Sequence, residues 1–247
     1  MERNAHLFVR LALIMFALVP PVKGAQADMA QAIEAYKKGD YKTAAEQLIP
    51  LAEAGDIDAQ YQLGLLYGNG RGVPKDPQKA TEWLSKATEH LDPGAPFNIG
   101  VMYFQGDQLP QDYAMAAEWF RKAGERGDPE ALYNLGWMYE EGMGVSRDPT
   151  EAAKWYQKAA DKGAPRAQLT LAKMYRDGKG VPQDLVQAYK WAHMAASQKA
   201  QEAIKVRDEL AQRMPPKQFA EAVRLAHEFE MQTEQKKEQI QLEMPES

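Results

Sequence analysis

Histidines, serines, paired glycines and a recurring aspartate are the residues of this chain that could serve catalysis or ion binding, and their spacing argues against each use. His6, His90, His193 and His227 stand too far apart to form a zinc-ligand pattern. Ser85, Ser146, Ser197 and Ser247 neither begin an S-x-x-K nor lie in a G-x-S-x-G, so the serine acyl-enzyme motifs are absent. The Gly70-Arg71-Gly72, Gly142-Met143-Gly144 and Gly178-Lys179-Gly180 loops lack the Gly-Lys-Ser/Thr and the preceding strand of a phosphate cradle; they read as helix stops. Asp76, Asp112, Asp148 and Asp184 each stand alone in their loops, without the alternating carboxylates of a calcium loop. These residues require no metal and no cofactor, and no catalytic constellation emerges from them.

What remains is recognition, which must use positions that vary while a framework stays constant. Three such columns occur: Gln62, Asn98, Asn134 and Thr170; Leu65, Val101, Trp137 and Lys173; and Asn69, Gln105, Glu141 and Asp177. Within each copy they are spaced i, i+3 and i+7, which is one stripe of a helix. A carboxamide is donor and acceptor together, so Asn98 and Asn134 could each bond the N–H and C=O of an extended peptide. Trp137 is then the anchor beside them, unless it packs against the adjacent copy. Tyr61, Phe97 and Tyr133 form a column that stays aromatic before ending in Leu169, which assigns them to packing between helices.

The elements that position this stripe recur every 36 residues. Trp83, Trp119, Trp155 and Trp191 share one register, as do Tyr67, Tyr103, Tyr139 and Tyr175, and the four aspartates. Aligned columns without insertion mark a repeat architecture. A small residue keeps the period at Gly64, Gly100, Gly136 and Ala172, while Lys86-Ala87, Lys122-Ala123 and Lys158-Ala159 become Met194-Ala195 in the last copy. The string A-x-x-x-L-G-x-x-Y-x-x-G-x-G-V-x-x-D-x-x-x-A-x-x-W-(Y/F)-x-K-A-A-x-x-G resembles the Sel1-like repeat, a relative of the tetratricopeptide repeat. Ala131–Gly163 fits closely, as do Ala59–Thr88 and Ala95–Gly127, and a fourth copy begins at Ala167.

Each copy predicts a helical hairpin. Leu63 and Tyr67 place apolar groups on one face of helix A, over 59–68. Gly64 inside it costs about 1 kcal/mol relative to alanine, so it needs a close approach to the partner helix. Asp76-Pro77 and Asp148-Pro149 predict an N-cap followed by proline at the first helical position, with Glu151 completing a capping box. Helix B follows, with Ala80, Trp83, Leu84 and Ala87 on one face. A lone hairpin cannot bury both faces, so the copies must stack. The expected fold is all-α, a right-handed helical-hairpin solenoid with a C-terminal capping helix pair. Its expected repeats span about 56–91, 92–127, 128–163 and 164–200.

At the N-terminus, Arg3 and Arg10, the apolar run 11–19 and Ala25-Gln26-Ala27 have the three parts of a secretory signal peptide over 1–27, cleaved after Ala27. The run is shorter than the roughly 18 residues of a spanning helix, so no membrane insertion is expected after cleavage. Cleavage takes the formal charge from −5 to about −7, because three basic residues and one acidic residue leave with the signal. An acidic chain disfavours nucleic acid and anionic membranes as partners. There is no cysteine, hence no disulfide framework. Residues 28–55 form a divergent hairpin with a Lys38-Gly39 turn, and Pro50 is expected to kink or shorten its second helix.

Beyond Ala200 two helices, 202–213 and 217–231, are split by Pro215-Pro216. The polar segment 232–247 is expected to be a loose tail, or else a helical extension presenting Ile240, Leu242 and Met244. The resemblance implies a non-enzymatic periplasmic or secreted adaptor that binds a protein or peptide in its concave groove. The groove residues would be Trp137, Asn134, Asn98, Gln62, Leu65, Val101, Lys173 and Glu141. A cell-wall-directed activity is the second expectation, because some cysteine-rich relatives bind penicillin; the missing cysteines of this chain weaken it. General chaperone holding is the third.

Overall fold

The computed structural model describes residues 25–91 and 94–243, and every regular element among them is an α-helix. The expected signal segment up to residue 24 lies outside the described residues. Helices α1 (Ala25–Lys37) and α2 (Tyr41–Glu53) form the first hairpin, α3 (Ile57–Asn69) and α4 (Pro77–His90) the second, and α5 (Ala95–Gln105) and α6 (Tyr113–Glu125) the third. Next come α7 (Pro129–Glu141) with α8 (Pro149–Asp161) and α9 (Pro165–Asp177) with α10 (Leu185–Ser197), before the last pair, α11 (Gln201–Arg213) and α12 (Pro216–Glu243). In the four central hairpins the first member, helix A, is α3, α5, α7 or α9, and helix B is the second.

Local chemistry sets the boundaries. The side chains of Asp76, Asp112, Asp148 and Asp184 accept backbone N–H bonds at the start of each helix B. Their own N–H groups donate to the carbonyls of Tyr67, Tyr103, Tyr139 and Tyr175, each at 2.9 Å. That bond closes the loop between A and B, and it explains why the predicted capping box at Glu151 is only half made. The Asp148 N–H is already occupied, so the Glu151 carboxylate pairs with Lys154 at 2.8 Å instead.

Between the two helices of a hairpin, volume is exchanged across the small-residue column. A Cβ on Gly64 would meet Leu84, one on Gly100 would meet the ring of Phe120, and one on Gly136 the ring of Tyr156, all at 2.6–2.8 Å. Register places Ala192 where Leu84, Phe120 and Tyr156 stand, and in that copy alone the small residue grows to Ala172. Between successive hairpins, Gly72, Gly144 and Gly180 hold positive φ, and a Cβ on each would land on the backbone of Tyr41, Tyr113 or Pro149 at the start of the preceding helix B.

The helix B tryptophans form the spine of the core. Trp119 and Trp191 are 0–1% exposed and Trp155 is 8% exposed. Lys86, Lys122 and Lys158 lie over the rings of Trp83, Trp119 and Trp155, the ammonium 3.8–4.3 Å from the centroid. The lysine lost at Met194 is replaced one turn earlier by Lys190, 4.0 Å over Trp191.

At both ends helix extends further than a proline or a polar composition by itself suggests. Helix α2 runs through Pro50 to Glu53, because the proline sits in the last turn and deprives only one carbonyl of its donor. Helix α12 continues to Glu243, the helical alternative for a segment whose composition also suggests a loose tail; glutamate, glutamine and lysine are good helix formers, and Met244 lies outside the described residues. It packs along α10 as well as closing the stack: Phe219 meets Tyr189, Phe229 meets Trp191, and Glu230 bonds His193 at 3.1 Å.

Candidate functional site: the row of A helices

Successive A helices lie side by side and are joined by side chains. The Tyr61 hydroxyl approaches the Met102 sulfur at 3.7 Å, and the Asn69 amide donates to the carbonyls of Leu65 (2.9 Å) and Gln108 (2.7 Å). Phe104 and Trp137 meet with centroids 5.7 Å apart. Arg166 covers the Tyr133 ring at 4.5 Å and reaches Glu130 at 3.8 Å, while Lys173 bonds Glu202 at 2.6 Å. The result is a continuous row, α3 to α11.

Within this row the expected stripe separates into three groups. Leu65 is a correction: at 6% exposure it belongs to the core that begins where α3 meets α5, so a partner cannot reach it. Lys173 stays accessible, its side chain 38% exposed, with its ammonium in an ion pair with Glu202. Gln62, Asn98, Val101 and Trp137 are partly buried, and Glu141 is exposed. Asn134 is the outlier: it is 9% exposed, and its amide makes no hydrogen bond to any described residue. The small exposed part of the residue includes its amide, which is not one of the buried polar atoms left without a partner, so the group is open to solvent or to a guest.

The aromatic column packs between the helices of one hairpin, as its constancy predicts. Phe97 meets Phe120 at 5.6 Å and Tyr133 meets Tyr156 at 5.2 Å. Burial pushes the Tyr61 phenol up and the Tyr156 phenol far up, the latter aided by the Glu140 carboxylate that accepts its hydroxyl bond at 2.8 Å. Glu140 also takes the Lys179 ammonium at 2.6 Å.

Two residues of this region escape the sequence reading, Phe104 and Glu140. Both lie in the column Gly68, Phe104, Glu140 and Arg176, directly after the tyrosine column. Its variation between copies was the available signal. Among the described residues there is no cluster of His, Cys, Asp or Glu able to hold a metal ion, and no helix long and apolar enough to cross a membrane.

Several solved structures share this arrangement. A protective antigen present in uropathogenic Escherichia coli strains, displaying an SLR fold, is 32% identical over 83% of this chain and 46% of its own, with a TM-score of 0.52. A Sel1 repeat protein from Oxalobacter formigenes is 32% identical over 77% of this chain and 59% of its own, with a TM-score of 0.56. The chain thus spans less than two thirds of either relative. No curated protein matches it. The Sel1 repeat pattern matches four consecutive segments, residues 57–90, 95–128, 129–163 and 165–199. These segments cover more than half of the sequence and coincide with the four hairpins whose A helices form the row; the chain belongs to the Sel1 repeat family.

Proposed function

We propose that this protein is an exported, non-enzymatic adaptor whose row of A helices forms a concave groove and binds an extended segment of a partner protein. Sel1 repeat proteins generally mediate protein–protein interactions and are typically non-catalytic scaffolds. The observation that carries the reading is Asn134, nine-tenths buried with an amide that has no partner among the described residues, one turn from the partly buried Trp137. A guest backbone would satisfy that amide as donor and acceptor, while a guest side chain would cover the indole. Asn98, Gln62 and Val101 extend the same surface along the row.

Affinity capture from bacterial envelope extract tests this, using the chain from Asp28 to Ser247 beside the same chain carrying Trp137→Ala and Asn134→Ala. The reading expects a small set of proteins held by the first and lost by the second. Proteins held equally by both, or none held by either, would overturn it. Export is tested by the N-terminus of protein recovered from the periplasmic fraction, which should begin at Asp28.

A further inference from the structure

We infer that the segment bound by the A-helix row is cationic, with a lysine or arginine two residues from an apolar side chain: the cation against Glu141, the apolar group on the Phe104–Trp137 patch. This rests on the groove reading above and adds the chemistry of its guest.

The charge distribution is one-sided. Helices α3, α5 and α7 contain no lysine, arginine or histidine, and their only charged residues are Asp58, Glu130, Glu140 and Glu141. The three cations of the next A helix, α9, each face a carboxylate. Arg166 reaches Glu130, Lys173 bonds Glu202, and Arg176 bonds Asp177. At the end of α7, Arg147 donates to the Glu140 carbonyl at 3.0 Å and Lys179 to the Glu140 carboxylate. The Glu141 carboxylate is exposed and has no ion pair or hydrogen bond to any described residue.

Glu141 also stands in the last turn of α7, where the helix dipole is negative and the turn contains no basic residue of its own. A carboxylate there costs stability, and a cation arriving from a partner would recover it. Asn134, the second and independent observation, lies on the same stripe, nine-tenths buried, with an amide that has no hydrogen bond to a described residue and is still reached by solvent. Trp137 and Glu141 are four residues apart, so their Cβ atoms are about 5–6 Å apart. Side chains on one face of an extended peptide repeat at about 6.6 Å, which matches an apolar-x-cation spacing.

The test uses two fluorescein-labelled peptides, LSRLSRLSR and LSELSELSE, titrated by anisotropy with the chain from Asp28 to Ser247 at low and physiological salt. The cationic peptide should bind at least tenfold tighter than the acidic one and weaken with salt. Glu141→Lys should weaken it tenfold or more, whereas Glu82→Lys on α4, which changes net charge equally, should change it less than twofold. Equal binding of both peptides, an equal effect of the two charge reversals, or no binding of the cationic peptide would overturn the inference. If envelope capture still depends on Trp137 and Asn134 while the cationic peptide fails, only the guest chemistry is wrong. If capture is indifferent to those residues, the groove reading itself fails.

Discussion

The indole of Trp137 meets the ring of Phe104 across the junction between two repeats, centroids 5.7 Å apart and planes tilted by 59°. One residue therefore serves both the stacking of repeats and the surface offered to a partner. Trp137→Ala should weaken binding of the captured partner by about 2 kcal/mol or more, as expected of a hot-spot tryptophan. It should also remove the ring pair, which contributes about 0.5–1.5 kcal/mol to folding. Phe104→Leu keeps the indole and removes only its ring partner: thermal melting should show a loss of stability similar to that of Trp137→Ala, while calorimetry should find a loss of partner affinity smaller than that of Trp137→Ala.

The exchange of volume between Gly136 and Tyr156 predicts non-additive mutations. Gly136→Ala drives a methyl into the ring and should cost about 1–3 kcal/mol, while Tyr156→Ala leaves a cavity costing about 3–5 kcal/mol. The double variant reproduces the Ala172 and Ala192 pair of the fourth copy, and should be more stable than the sum of the single losses by about 1 kcal/mol or more. Additive urea-unfolding energies would show that the two positions do not share space.

Stacking between hairpins is tested at two glycines with similar backbones and different surroundings. Gly144 has φ +69°, and its Cβ would strike Tyr113 and Ala114; Gly163 has φ +86° and open space around it. Gly163→Ala should cost only the left-handed conformation, about 1–2 kcal/mol. Gly144→Ala adds the clash and should cost about 2–5 kcal/mol, read as a lower urea midpoint.

Alkaline pH should loosen the core through its tyrosines. Burial is the main cause that pushes the Tyr103 phenol up to about 12, and the Tyr156 phenol is raised further. A raised phenol favours the protonated, folded state, so its contribution is intact below the unfolded value of about 10 and is lost as pH rises through the folded value. Absorbance titration should show Tyr103 and Tyr156 ionising together with unfolding rather than before it. Tyr103→Phe should move the alkaline unfolding midpoint upward.

Much of the architecture was legible in the sequence because it is local. The bond from the Asp148 N–H to the Tyr139 carbonyl, the aspartate caps and the close approach at Gly136 all act within one hairpin, so each repeats with the 36-residue period. A strip of sequence was therefore sufficient to identify helix starts, helix stops and the buried tryptophan spine. The surface was less legible. Leu65, Val101, Trp137 and Lys173 occupy one column, yet one is in the core, one is paired to Glu202 and two remain partly exposed. Those outcomes depend on neighbours contributed by other repeats: Phe104 against Trp137, Glu202 against Lys173. Helix α12 likewise follows α10 because Trp191 and Tyr189 offer rings to Phe229 and Phe219. The period of the chain determined where the stripe runs; the packing of one repeat on the next decided which of its residues a partner can reach, because burial depends on atoms brought together only by stacking.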